Sequence, residues 1–308
     1  MSAYRFCRSD DIGLLVDALN RCWAPHFPDE LPTTPASFKR SIRDLQVWCS
    51  SCMVAFSGSD PIGVLIGAKR PSGTLIHKIA VHPDHVRQGH GRHLLTSLGS
   101  KLAILGPPRM VAEVQETFDA ACGLFSASGY AQEAFLTDYV LHPTAQTTRR
   151  GGPGEPVESD APDVSGGFLI PVTVDDLAAN GLLEEAQSSV CWERSVETLT
   201  ARKDDLAGLA VASDERIEAY ILYTPARGPH DAFGASWGGA AEIMALRSFV
   251  EDGGARLKQL LAQLRARGVE TLRFPKVHPA EISKERLQTL GFSPAGVHLL
   301  YAARAQSA

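Results

Sequence analysis

Apolar runs and amphipathic stretches alternate along the chain in two series of similar order. In the first series, residues 4–8 predict a short strand and 10–22 an amphipathic helix opened by acidic residues; a second helix follows Pro35. Strands are then expected near 53–57, 61–69 and 74–82, a long helix near 89–105, a strand at 109–114, a helix at 118–128 and a strand at 135–141. The second series predicts a strand at 168–173, mostly helix over 174–190, and strands at 207–212, 217–224 and 242–249. It closes with a helix at 252–267, a strand at 271–275, a helix at 281–290 and a strand at 297–302. Two copies of one β-α-α-β-β-β-α-β-α-β order predict a duplicated α/β unit.

Between the series, PTAQTTRRGGPGEPVESDAPDVSGG is rich in Pro, Gly, Ser, Thr and acidic residues and nearly devoid of apolar ones. Such a segment cannot bury enough surface to order itself, so 144–167 reads as a linker between an N-terminal domain, 1–143, and a C-terminal domain, 168–308.

Composition narrows the function classes. With 44% hydrophobic and 21% charged residues over 308, the chain reads as soluble and globular. A net charge of −5 argues against a nucleic-acid partner, which demands a concentrated basic face. No apolar run approaches the ~18–20 residues of a membrane span. The opening MSAYRFCRSDD lacks a signal peptide's apolar core, so no membrane association and a cytoplasmic location are expected. The pair Cys49-Ser-Ser-Cys52 has neither the second pair nor the histidine cluster that zinc requires, and it opens a strand rather than a helix. It reads as two reduced thiols, and no metal site is expected.

One stretch carries the chemistry: from Leu75 to Leu95 the sequence runs LIHKIAVHPDHVRQGHGRHLL. An apolar strand ends at Val81, a proline turn follows, and Gly89-His90-Gly91 opens an amphipathic helix. The first turn of a helix offers unsatisfied N–H groups and the positive end of its dipole. Glycines there let an anion approach the backbone, and Arg87 and Arg92 add positive charge on both sides. The segment therefore reads as a pyrophosphate cradle. It is neither the dinucleotide fingerprint, for which a third spaced glycine is missing, nor a P-loop, for which no Gly-Lys-Ser/Thr follows.

The whole string Ile79-Ala80-Val81-His82-Pro83 followed by Val86-Arg87-Gln88-Gly89-His90-Gly91 resembles motif A of the GNAT superfamily of acetyl-CoA-dependent N-acetyltransferases. Val86 departs from the Arg or Gln usual there. Gly129-Tyr130 stands where that family has Gly-Phe, and Gly291-Phe292 holds the matching place in the second half. The resemblance implies two tandem GNAT folds of α/β (mixed α+β) class, each a mostly antiparallel sheet flanked by helices. It also implies acetyl-CoA as co-substrate: the main chain of Ile79, Ala80 and Val81 would hold the pantetheine arm, and that of Arg87, Gln88, Gly89, His90, Gly91 and Arg92 the diphosphate. In the second half, the matching segment from Ala245 to Arg256 lacks the Val-x-Pro turn and spaced glycines. It places Glu251 and Asp252 where phosphates would dock, so that copy reads as degenerate.

Acetyl transfer to an amine needs the amine free of its proton. His77 precedes the motif, and strand alternation would put it on one face with Ile79 and Val81. The resemblance extends to a histidine of arylalkylamine acetyltransferases in this position. Glu113 on the fifth strand is a second base candidate. A tyrosine that protonates the leaving thiolate in many relatives is replaced by Phe125, leaving Tyr130 or Tyr139 as substitutes. His82, His85, His90 and His93 read as solvent-exposed or phosphate-proximal, and Cys122 as small core filler. The loop 23–35, with Trp23, Phe27, Asp29 and Glu30, is a candidate wall of the acceptor pocket whose acids would attract a cation. The leading expectation is acetyl transfer to a small-molecule amine by a monomer or homodimer. The alternatives are transfer to a protein or peptide amine and an acyl-CoA-binding module with little catalysis.

Overall fold

The computed structural model describes residues 2–143, 167–183, 190–224 and 239–305; the expected linker, apart from Gly167, lies outside them. The N-terminal half runs β1 (Ser2–Phe6), α1 (Ile12–Cys22), α2 (Pro35–Leu45), β2 (Met53–Ser57), β3 (Asp60–Arg70), β4 (Gly73–Val81), α3 (His90–Leu105), β5 (Arg109–Gln115), α4 (Asp119–Ala127) and β6 (Ala131–Leu141). The C-terminal half runs β7 (Phe168–Pro171), α5 (Val174–Ala179), α6 (Val196–Ala201), β8 (Ala207–Ala212), β9 (Ile217–Thr224), β10 (Ala240–Ser248), α7 (Ala255–Ala266), β11 (Thr271–Val277), α8 (Lys284–Thr289) and β12 (Ser293–Arg304). The expected helix over 174–190 stops at Ala179, where Asn180 precedes Gly181 in the left-handed region at φ 69°. Residues 184–189 lie outside the description, and a 3-10 turn at Trp192–Arg194 leads into α6, which the pattern did not show.

The twelve strands form one sheet in the order β1-β2-β3-β4-β5-β12-β6-β11-β10-β9-β8-β7. Only β4–β5 and β10–β11 pair in parallel; the other named pairs are antiparallel. The halves cross at the centre: β12 pairs with β5 from Arg304↔Arg109 to His298↔Gln115, and β6 pairs with β11 as well as β12. Leu299 and Tyr301 of β12 thereby complete the core under α3 and α4, and Tyr139 and Leu141 of β6 complete the core under α7. Each half closes its apolar core with a strand of the other.

Both parallel pairs open into forks. β4 and β5 pair only at Thr74↔Met110 and Leu75↔Val111, then part. β10 and β11 pair at Ala240↔Thr271, Ala241↔Leu272 and Glu242↔Arg273, then part likewise. A β-bulge in β4 shapes the first fork: Ile66 faces Lys78 while Gly67 faces Ile76, so His77 is the extra residue. Gly67 sits at the bulge because a Cβ there would lie 2.5 Å from the Ser51 carbonyl oxygen. Gly67→Ala is expected to lower unfolding free energy by about 1–3 kcal/mol, read from the denaturant midpoint. Among the described residues, no helix is long and apolar enough to cross a membrane.

Candidate active site

The turn into α3 has two left-handed positions close together. Arg87 and the N-cap Gly89 both lie in the left-handed region, at φ 62° and 88°, turning successive amides toward one side as in an anion nest. No side chain caps α3. Gly91 allows α4 to pack close, since a Cβ there would meet the Leu124 side chain at 3.1 Å. Arg92 Nη2 donates to the Ala127 carbonyl across that contact, at 2.7 Å. His90 is 6% exposed, and its ring turns inward, Nδ1 lying 2.6 Å from the Tyr4 hydroxyl. His90 thus offers the cradle its backbone. Gln88 and Arg87 stay exposed.

The start of α7 is the informative contrast. Gly254, its N-cap, is also left-handed, yet Asp252 fills the equivalent place: its carboxylate accepts from Gly254 N at 2.8 Å and Arg256 N at 2.7 Å. Burial alone would raise this carboxyl, but the amide bonds outweigh it and hold it below its ordinary range. The protein's own anion sits where α3 leaves room for a foreign one.

Beside the cradle, the open edge of β4 faces the fork. His82 N donates to Ile62 O, so residues 78, 80 and 82 pair with β3. The alternation turns the N–H and C=O of Ile79 and Val81 toward the fork. His26 Nε2 donates to Val81 O at 2.8 Å, anchoring the loop after α1 over the strand end. Phe27 of that loop stacks on Trp23 at 4.2 Å and meets Phe118, ahead of α4, edge-on at 5.0 Å. The loop after α1 therefore stands at the mouth of the fork. Glu30 is matched within the chain, accepting from Lys78 Nζ at 3.1 Å and Trp23 Nε1 at 2.9 Å, so it does not wait for a substrate cation.

The bulge overturns the expectation that His77 shares a face with Ile79. Ile79 packs with the core beneath α3, whereas Leu75, two residues before His77, belongs to the core beneath α1. His77 is consequently assigned to the α1 side of the sheet, and burial drives its imidazole down to about 4, with Glu193 opposing and Lys78 and Lys276 assisting. Glu113 is 5% exposed; its Oε1 accepts from Trp192 N at 2.8 Å and its Oε2 lies 3.2 Å from Lys276 Nζ. Lys276 Nζ also donates to Glu193 Oε2 at 3.0 Å. Beside this ammonium the Glu193 carboxyl falls to about 2. Burial works against the ammonium itself, but the two carboxylates raise it well above its ordinary value.

Lys276 and Glu193 belong to the C-terminal half, and sequence reasoning missed both; no periodicity or motif marks them. Tyr130 does not reach this site. It is 6% exposed in the core, packed edge-on against Phe125 at 5.1 Å, with its hydroxyl 3.6 Å from Met110 Sδ, and burial raises its pKa. Tyr139 lies in the core of the other half. The Cys122 thiol donates to backbone carbonyls of Gln115 and Glu116. Cys49 and Cys52 are free thiols, and the described residues hold no group of three or more His, Cys, Asp or Glu able to bind a metal.

Residues 14–130 match the acetyltransferase (GNAT) family. The N-terminal half is a GNAT domain. The whole chain is similar in fold to a tandem GNAT protein from the clavulanic acid biosynthesis pathway, at 17% identity, TM-score 0.61 and full coverage of both chains. It is similar also to a GCN5-related N-acetyltransferase from Sphaerobacter thermophilus (14% identity, TM-score 0.63, covering 99% of this chain and 96% of that one). A third such structure comes from Anabaena variabilis (12% identity, TM-score 0.63, 99% and 73% covered). No curated protein matches the chain in sequence. At these identities the neighbours establish the GNAT fold, and the family establishes an acetyltransferase in general terms.

Proposed function

We propose that the protein is an acetyl-CoA-dependent N-acetyltransferase with one working site, in the N-terminal half, that moves an acetyl group directly to the amine of a small molecule. The observation that carries this reading is the pair of helix starts: α3 is uncapped beside an open fork, whereas α7 is capped by Asp252. The amides from Arg87 to Arg92 would hold the diphosphate, and the fork-facing groups of Ile79 and Val81 the pantetheine arm. Acetyl-CoA supplies the thioester that the amine attacks. The Ile79 N–H, turned toward the fork, would support the carbonyl oxygen as it gains charge.

An alkylammonium, with a pKa near ~10, must give up a proton before it attacks. That first proton goes to water, because an imidazole near 4 is far too weak to take it. His77 is assigned the second one, which the nitrogen sheds once its bond to the carbonyl carbon has made the N–H acidic. Its imidazole is neutral at neutral pH and shares the α1 face with Glu113, which is already committed to Trp192 N and Lys276. With Phe125 and Tyr130 both buried in the core, the departing thiolate takes its proton from water.

Calorimetry is expected to find one equivalent of acetyl-CoA per chain, and mass spectrometry of an amine panel to find acetylated product. Binding with no product across the panel would leave the acyl-CoA-binding module instead. His77→Ala is expected to slow transfer about 100-fold. Its acetyl-CoA affinity should stay within about twofold of wild type, about 0.4 kcal/mol. Because protonation silences a base, the acid limb of the wild-type rate profile should lie near 4, below an ordinary histidine.

A further inference from the structure

The groups around His77 come from both halves of the chain, and one of them is held in an unusual way. Lys276 follows Pro275 where β11 bulges away from β6, between Phe274 and Val277. Its backbone is left-handed at φ 50°, a conformation that a residue with a Cβ adopts only when its surroundings impose it. Those surroundings are specific. Its N–H donates to Asp138 Oδ1 at 2.8 Å, and its carbonyl accepts from Arg194 Nη2 at 3.1 Å. Arg194 is in turn fixed by Glu281, at 2.6 Å through both guanidinium ends. The result sends the ammonium out of the C-terminal half to Glu113 on β5, at 3.2 Å, and to Glu193, at 3.0 Å.

We propose that Lys276 is a positioning residue of the acetyl-transfer site: delivered by the C-terminal half, its ammonium ties Glu193, whose charge acts on His77, to Glu113 on β5 and so sets the state in which the imidazole meets the amine. This rests on the transferase reading above and adds that the degenerate half supplies part of the working site. The charged groups acting on His77 are Glu193 from the turn after 190, Lys78 on its own strand, Lys276 from β11 and Glu30 from the loop after α1. Those acting on Lys276 are Glu193, Glu113 and Cys191; His298 on β12 stands beside the same group, 3.6 Å from Asp138 Oδ2. Removing the ammonium would leave Glu193 without its partner and favour a proton on His77.

The test is a histidine-selective NMR titration of the full chain, with His77 assigned from the signal lost in His77→Gln. In Lys276→Met the His77 midpoint is expected to rise by about one unit or more, a tenfold gain in proton affinity. Lys276→Arg should stay within about 0.3 units of wild type, because it keeps the charge. If Lys276→Met does not fold, Glu193→Gln reads the same clamp from the other side, since removing that carboxylate should lower the His77 midpoint relative to wild type. With phenethylamine as the probe amine, Lys276→Met should move the acid limb upward in step with His77, slowing transfer about fivefold at pH 4 while the rate at pH 7 changes little. Acetyl-CoA affinity should be unchanged and Lys276→Arg should restore most of the rate. A His77 midpoint unmoved in Lys276→Met, a rise in Glu193→Gln, or a loss that arginine does not restore would overturn the proposal. Failure of wild type to bind acetyl-CoA would instead overturn the transferase reading, and the transfer role of Lys276 with it, whatever the titration shows.

Discussion

Gly89→Glu is expected to abolish acetyl-CoA binding, with a loss in affinity of about 100-fold or more, at least about 2.7 kcal/mol. Two independent effects converge on that position. Gly89 has φ 88°, so any side chain there costs about 1–2 kcal/mol of backbone strain unless the turn refolds, which would disperse the amides of the nest. The glutamate would also place a carboxylate in the proposed cradle, where it repels the diphosphate. No heavy atom lies within 4 Å of the new Cβ outside the adjoining residues, so the side chain is not excluded sterically and the core beneath α3 stays intact. Calorimetry with acetyl-CoA should therefore show no heat, while thermal unfolding remains cooperative and only modestly lowered. The second half supplies the control. Asp252→Asn disturbs the cap of α7, at a cost of about 1 kcal/mol, and should leave affinity and one-to-one stoichiometry unchanged. Equal binding by Gly89→Glu and wild type would sink the proposed cradle.

The glycine turn into α3 was legible in the sequence because it is a feature of backbone, and glycines at fixed spacing report backbone directly. Gly89 and Gly91 stand in one short string with the strand and turn that position them. Strands and most helices were legible for a similar reason: each is written in local pattern. What escaped was long-range. The crossing of β6 and β12 depends on which edge finds which partner, and nothing within either strand records that. The bulge at His77 defeated the alternation that assigned its face, since one extra residue reverses every side chain beyond it. The left-handed turn at Lys276 carries neither glycine nor asparagine to announce it. The candidate site was thus half visible: the glycine turn in one motif, the buried charged groups scattered over β5, the turn after 190 and β11.

Arg194→Met is expected to be the most destabilising single change among those considered, by about 3–5 kcal/mol in unfolding free energy. Arg194 lines the cavity beside the second fork, its side chain 0% exposed against a 5% exposed Glu281. Both guanidinium ends reach the carboxylate at 2.6 Å, and the plane lies 4.6 Å from the Phe274 ring centroid. Methionine refills most of the volume but strands Glu281 as a buried anion, and that uncompensated charge is the source of the loss. The double variant Arg194→Met/Glu281→Leu removes both charges and should recover most of the stability, because a well-packed apolar pair replaces an ion pair at little net cost. Denaturant midpoints at pH 7 for both variants measure this; a double variant no better than the single would mean that Arg194 contributes packing rather than charge.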